Sequence, residues 1–126
     1  MNKLVLIVGV GGFLGTVARF LSQQLVYKLY PVVFPYGTLA VNLTGCFLIG
    51  VFYAMAEKNN LLSPEWRLFL TTGFCGGFTT FSAFTYEGVQ MMDNKDYLYL
   101  GIYAAVSVAA GIAATYLGIW LTKSVG

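Results

Sequence analysis

Twelve residues, GFCGGFTTFSAF from Gly73 to Phe84, hold three glycines, three hydroxyl side chains and four phenylalanines. Each glycine disfavours helix by about 1 kcal/mol relative to alanine, so Gly73, Gly76 and Gly77 weaken this stretch as a helix. A break here frees backbone carbonyls and amides, and half-helix ends of that kind are ion sites. Carbonyls without side-chain charge suit a hard cation such as Na+, and Thr79, Thr80 and Ser82 add hydroxyls. Phe81 and Phe84 stand three apart and share a helix face. Such a pair is ordinary core packing, but it also offers two ring edges of partial positive charge. A ring edge meets an anion without the full charge that would trap it, as conduction requires.

Other polar residues sit in apolar surroundings. Thr38 and Asn42 are four apart on one helix face. An amide in hydrocarbon must find partners, so Asn42 either makes an interhelical hydrogen bond or lines a path. Tyr103, Ser107, Gly111 and Thr115 form an i, i+4 stripe that lines a path or joins helices. Arg19 is a charge inside an apolar run, and such charges face a cavity or a partner. It snorkels to an interface or forms an electropositive vestibule. The stretch GVGGFLGTVARF, Gly9 to Phe20, is not a dinucleotide loop, because that spacing needs glycine where Leu14 stands.

The elements that carry these residues are membrane spans. The chain is 58% hydrophobic and 10% charged, against about 25% charged in an average soluble chain. Gly37 to Ala56, Leu68 to Tyr86 and Tyr97 to Thr122 are free of charge, and Leu4 to Tyr27 carries only Arg19. A span needs about 20 mostly apolar residues, so the sequence leads to four transmembrane helices in one domain, residues 1–126. The first apolar run is too long for a signal peptide and lacks a clear cleavage site. Helices are expected over about Lys3–Tyr27, Gly37–Glu57, Ser63–Met92 and Tyr97–Thr122. Ser63-Pro64-Glu65 is a capped helix start. The connector Lys58–Pro64, with Asn59 and Asn60, and the segment Asp93–Asp96 are polar turns.

Gly11 and Gly15, and Gly101, Ala105, Ala109 and Ala113, are small-residue faces for close helix contact. With the termini on one side, that side carries Lys3, Lys58, Arg67 and Lys123, and the other Arg19, Lys28 and Lys95. Four against three gives no firm orientation by the positive-inside rule, which leaves insertion in both directions open. The net charge of +2 offers no case for nucleic acid. Histidine is absent, and Cys46 and Cys75 both fall within spans as small apolar residues. Without histidine or paired acids in the spans, a general acid–base site is hard to build, so no enzyme is expected.

The chain resembles the small fluoride channels, the Fluc or CrcB-like proteins. The resemblance rests on three motifs in order across nearly the whole chain. They are G-G-x-x-G-x-x-x-R at Gly11–Arg19, G-T-L-x-V-N-x-x-G at Gly37–Gly45 and G-F-x-G-G-x-T-T-F-S-x-F at Gly73–Phe84. It implies an all-α membrane protein of four transmembrane helices, broken in the third, that assembles as an antiparallel dual-topology homodimer. Two fluoride pathways along the subunit interface are implied, in a multi-pass protein of the plasma (cytoplasmic) membrane. A structural Na+ at the dimer centre is implied too, on the backbone carbonyls of Gly76 and Thr79. The implied pathway residues are Phe81, Phe84, Asn42, Thr38, Thr80, Ser82, Tyr103 and Ser107. Arg19 falls at a vestibule position and Glu87 near the pore mouth. Gly111 departs from a position where serine is expected in some members.

Two other readings fit less well. A small dual-topology multidrug transporter needs a membrane-embedded acid to couple protons to a cationic drug, and the first helix has Arg19 instead. A non-transporting scaffold should have a plain apolar third helix.

Overall fold

The computed structural model describes residues 2–32, 34–58 and 61–125. They form helices joined by short non-helical segments, with no strand among them. The order is α1 (Asn2–Leu29), α2 (Tyr36–Glu57), α3 (Pro64–Leu68), a π-helical turn (Phe69–Cys75), α4 (Gly76–Phe78), α5 (Phe81–Asp93) and α6 (Tyr97–Ser124). Three helices are long and apolar enough to cross a membrane: α1, α2 and α6. At 1.5 Å per residue the 22 residues of α2 rise roughly 33 Å, just over the ~30 Å of a hydrocarbon core. The fourth apolar run is the interrupted one. It runs from α3 through the π turn and α4, breaks at Thr79 and Thr80, and resumes as α5.

Local chemistry sets the boundaries. Ser63 Oγ accepts from the backbone N–H of Trp66 at 3.2 Å, with Pro64 in the first helical position and Glu65 in the first turn. The α5 helix ends where Lys95 turns left-handed, at φ 59°. The Asp96 N–H then reaches the Met91 carbonyl at 2.8 Å, and the Lys95 N–H reaches that of Met92 at 3.0 Å. This paired C-terminal cap satisfies carbonyls that the helix end leaves free and turns the chain into α6. Pro31 and Pro35 lie between α1 and α2, where proline's missing N–H resists a continuous helix. Asn59 and Asn60, expected in a polar turn, lie outside the described residues.

Two glycine seams hold the helices together. In the first, α1 lies against the π turn and α4. A Cβ on Gly11 would stand 2.6 Å from the Phe69 carbonyl oxygen, and one on Gly77 2.5 Å from that of Gly12. Gly15 meets the Phe74 carbonyl more closely still. In the second, Gly50 of α2 lies on the Thr115 carbonyl, and Gly118 of α6 on that of Phe47. The small-residue face at Gly101, Ala105, Ala109 and Ala113 makes no seam within the subunit and is exposed on it. The α6 helix meets α2 through Gly111 and Gly118, which are buried. Lys58 Nζ donates to the Thr122 carbonyl at 3.0 Å and closes the C-terminal end of α6.

Overpacking a tight contact typically costs 1–3 kcal/mol, roughly the cost expected for Gly15→Val. That variant should unfold in detergent at a clearly lower temperature than the parent protein. Gly9→Val, where a Cβ meets nothing within 4 Å, should leave the midpoint nearly unchanged. A thermal melt of the purified proteins decides it, and equal midpoints would refute the seam's importance.

Candidate functional site

The break at Thr79–Thr80 is where the polar chemistry gathers. Thr79 is extended, with φ −89° and ψ 158°, and so is Thr80, with φ −149° and ψ 114°. Backbone groups freed at this depth need partners from inside the protein. Asn42 of α2 supplies two. Its Oδ1 accepts from the Thr80 N–H at 2.7 Å, and its Nδ2 donates to the Thr80 carbonyl at 3.0 Å. The amide thus pairs with Thr80 as a neighbouring strand would. Arg19 of α1 supplies a third partner: its Nε donates to the Gly77 carbonyl at 3.0 Å. Its charge lies at the C-terminal end of the first half-helix, where the helix dipole favours a cation. Thr80 Oγ1 accepts from the Ala83 N–H at 3.2 Å and caps α5. Thr79 Oγ1 turns back to the Cys75 carbonyl at 2.9 Å.

Diversion of these donors leaves two carbonyls without their helical partners. In a continuous helix the Thr80 N–H would serve Gly76, and that of Ala83 would serve Thr79. Both are held by side-chain oxygens instead. Gly76 is an exposed residue and Thr79 a half-buried one. The Gly77 carbonyl is already spent on Arg19. Among the described residues no group of three His, Cys, Asp or Glu side chains could hold a metal.

A second polar cluster lies between α2, α5 and α6. Thr38 Oγ1 donates to Glu87 Oε2 at 2.8 Å, and the Tyr103 hydroxyl to Glu87 Oε1 at 2.9 Å. Thr38 is 2% exposed and Tyr103 fully buried. Gln23 of α1 joins this cluster to the break. Its Nε2 donates to Thr38 Oγ1 at 3.2 Å, and its Oε1 accepts a long contact from Arg19 Nη1 at 3.4 Å.

An aromatic row connects the cluster with the surface. The rings of Phe81 and Phe84 have centroids 5.7 Å apart, and those of Phe84 and Tyr103 4.9 Å apart. Phe81 is 76% exposed, Phe84 half-buried and Tyr103 buried. Ser82 is exposed beside Phe81, with its Oγ 3.5 Å from that of Thr80.

The expected site residues therefore fall into three groups: Asn42, Thr79, Thr80, Gly76 and Arg19 at the break; Thr38, Glu87 and Tyr103 in the carboxylate cluster; Phe81, Phe84 and Ser82 along the row. Ser107 is half-buried one turn along α6 from Tyr103, and none of the side-chain hydrogen bonds given above reaches it. Further along that stripe, Thr115 Oγ1 donates to the Cys46 carbonyl at 3.0 Å, and Gly111 faces Cys46 Sγ, so this end joins α6 to α2. Gln23 is the residue that sequence reasoning missed. Its signal was its place one turn after Arg19, the spacing at which helix side chains meet.

These features define a class: an all-α, multi-pass membrane protein whose third passage is interrupted and pinned by polar side chains of its neighbours. The chain belongs to the CrcB-like family, whose model, described as "CrcB-like protein, Camphor Resistance (CrcB)", matches residues 6–119. It is 50% identical over 121 residues to a protein of Chlorobaculum tepidum, covering 96% of this chain and 95% of that one. It is 48% identical over 119 residues to one of Chlorobium phaeobacteroides, covering 94% and 92%. It is 43% identical over 124 residues to one of Leptospira interrogans, covering 98% and 97%. Each of these relatives is named "Fluoride-specific ion channel FluC".

Replacing Asn42 by leucine strips the Thr80 N–H and carbonyl of their partners. Each buried polar group left unpaired costs roughly 1–3 kcal/mol. Asn42→Leu should therefore melt well below the parent protein in detergent, and the segment around Thr79–Thr80 should exchange its amide hydrogens faster. Unchanged melting and exchange would mean that the break does not depend on Asn42.

Proposed function

We propose that this protein is a passive fluoride-selective channel that lets F− leave the cytoplasm and so relieves fluoride toxicity. The observation that carries the reading is the row Phe81–Phe84–Tyr103, which runs from an exposed ring to a buried phenol beside the broken helix. Relatives named as fluoride-specific ion channels, alike over nearly the whole chain, support it.

Hydrogen fluoride is a weak acid that crosses membranes neutral and ionises in a near-neutral cytoplasm, where the anion is trapped. A channel then lets F− leave down its electrochemical gradient, helped by an inside-negative potential. This chain's part is to replace the water shell of the ion. The edges of Phe81 and Phe84 present partial positive charge. Hydroxyls of Thr80, Ser82 and Ser107 supply donors along the path, with Asn42 holding its backbone, while Thr38 and Tyr103 give their hydroxyl hydrogens to Glu87 and shape the mouth beside Phe84. No contact along the path carries a full charge: Arg19 is held at the break on the Gly77 carbonyl and Gln23, and Glu87 stands at the mouth. Weak contacts in series let an ion leave as readily as it enters.

The functional unit in this reading is an antiparallel, dual-topology homodimer in the plasma membrane. The exposed face with Gly76, Phe81 and Ser82 meets its copy there, and each subunit lends surface to two pathways. Gly76 and Thr79 fit a structural Na+, because their carbonyls have lost their helical donors to Asn42 and Thr80. The carbonyls of Gly76 and Thr79 would hold such a cation, which would supply positive charge at the break.

The test is fluoride efflux from liposomes carrying the purified protein, read with an ion-selective electrode beside a chloride control. Fast loss of fluoride with little loss of chloride is expected. Phe81→Ile and Phe84→Ile should each cut fluoride flux at least tenfold while eluting like the parent protein in size-exclusion chromatography. Folded parent protein that passes no fluoride would overturn the channel reading. Normal flux in both variants would remove the ring edges from the mechanism.

A further inference from the structure

Gln23 has no part in the pathway set out above, yet among the described residues its side chain bonds both Arg19 at the break and Thr38 in the cluster at the mouth. We infer that Gln23 is a positioning residue: it fixes the direction in which the Thr38 hydroxyl donates, and so fixes the arrangement of Thr38, Glu87 and Tyr103 beside Phe84. The inference rests on the channel reading and extends it to a residue on α1.

The argument follows the protons. Arginine has donors only, so the Gln23 atom facing Arg19 Nη1 is its oxygen. The Gln23 amide nitrogen therefore faces Thr38 and donates to Oγ1 at 3.2 Å. Thr38 has a single hydroxyl hydrogen. With its oxygen accepting from Gln23, that hydrogen goes to Glu87 Oε2 at 2.8 Å. A carboxylate has acceptors only, and its other oxygen takes the Tyr103 hydroxyl at 2.9 Å. The chain thus begins at an all-donor group and ends at an all-acceptor group, and every proton between them has one direction. Bonds aligned in this way polarise and strengthen one another. Arg19 is in turn anchored on the Gly77 carbonyl, so the geometry of the mouth is referred to the geometry of the break.

Loss of the Gln23 donor removes one of the two partners that orient Thr38, a side chain 2% exposed. The hydroxyl is then free to turn from Glu87, and the carboxylate and Tyr103 shift beside Phe84, whose ring centroid lies 4.9 Å from that of Tyr103. Flux should fall although neither ring has been touched.

The experiment compares the parent full chain with Gln23→Met and Gln23→Asn in the liposome efflux assay. Methionine keeps the length and loses both polar ends. Asparagine keeps the amide and is one methylene too short. Each is expected to lower fluoride efflux about tenfold with elution in size-exclusion chromatography unchanged. The readout that separates positioning from packing is a double-mutant cycle with Thr38→Val, which removes the hydroxyl and keeps the shape. On that background Gln23→Met should change flux less than twofold, because the group through which it acts is gone. Parent-level flux in either single variant overturns the proposal. So does the same tenfold loss with and without the Thr38 hydroxyl. A parent protein that passes no fluoride is a different result, since it removes the channel reading itself before any variant is compared.

Discussion

A helix interrupted among apolar helices must find partners for the backbone groups it frees, and this structure is arranged around that demand. The third passage stops at Thr79–Thr80. Leaving the freed amides and carbonyls bare in hydrocarbon costs several kcal/mol per group. Asn42 takes both groups of Thr80, and Arg19 takes the Gly77 carbonyl. Neither side chain reaches unless its helix lies close to the break. For α1, closeness comes from Gly11 and Gly15, whose missing side chains let the π turn and α4 settle on its backbone. Gly73 and Gly77, which weaken the third passage as a helix, also dock it on α1. The same substitution, glycine for a larger residue, loosens one helix and tightens its contact with the next.

The distribution of partners decides what chemistry remains. Gly77 is spent on a guanidinium, whereas Gly76 and Thr79 have had their helical donors drawn away by side chains. Oxygen atoms without donors, on a face that reaches the surface, are what a hard cation takes. A few residues along α5, the rings of Phe81 and Phe84 offer the opposite polarity. One break therefore carries both carbonyl oxygens that have lost their helical donors and, a few residues on, an exposed ring. The charge of Arg19 is already committed to a carbonyl and to Gln23.

Much of this was legible in the sequence because the signals were local. Uncharged length marked the spans, three glycines marked the interruption, and Ser63-Pro64-Glu65 marked the start of α3. What was not legible depended on rotation of helices about their axes. Asn42 admitted two readings, interhelical bond and path lining, and only the approach of Thr80 shows both ends of its amide engaged. The stripe from Tyr103 to Thr115 is straight in sequence, but its ends meet different neighbours, Glu87 on α5 and Cys46 on α2. The small residues Gly101, Ala105, Ala109 and Ala113 have the right spacing for a seam, yet α6 turns Gly111 and Gly118 to α2 instead. Spacing names a face, and packing volume elsewhere decides which face is used. Gln23 was passed over because glutamine is unremarkable near a helix end. Its meaning comes from Thr38, fifteen residues away.

The exposure of Phe81 is the last point that the single subunit leaves without a partner. A ring 76% exposed, next to an exposed serine and the exposed Gly76, is costly in water and ordinary in lipid. Lipid does not account for the company it keeps: carbonyls without donors and a hydroxyl pair at Thr80 and Ser82 gain nothing from hydrocarbon. In the antiparallel dimer proposed above, a second copy would cover the ring with protein and would bring a matching set of carbonyls to the same depth. In that arrangement the polar chain from Arg19 to Glu87 stays wholly inside each subunit, while the rings and free carbonyls meet between subunits. Geometry would then be set within one chain, and the ion path completed by two.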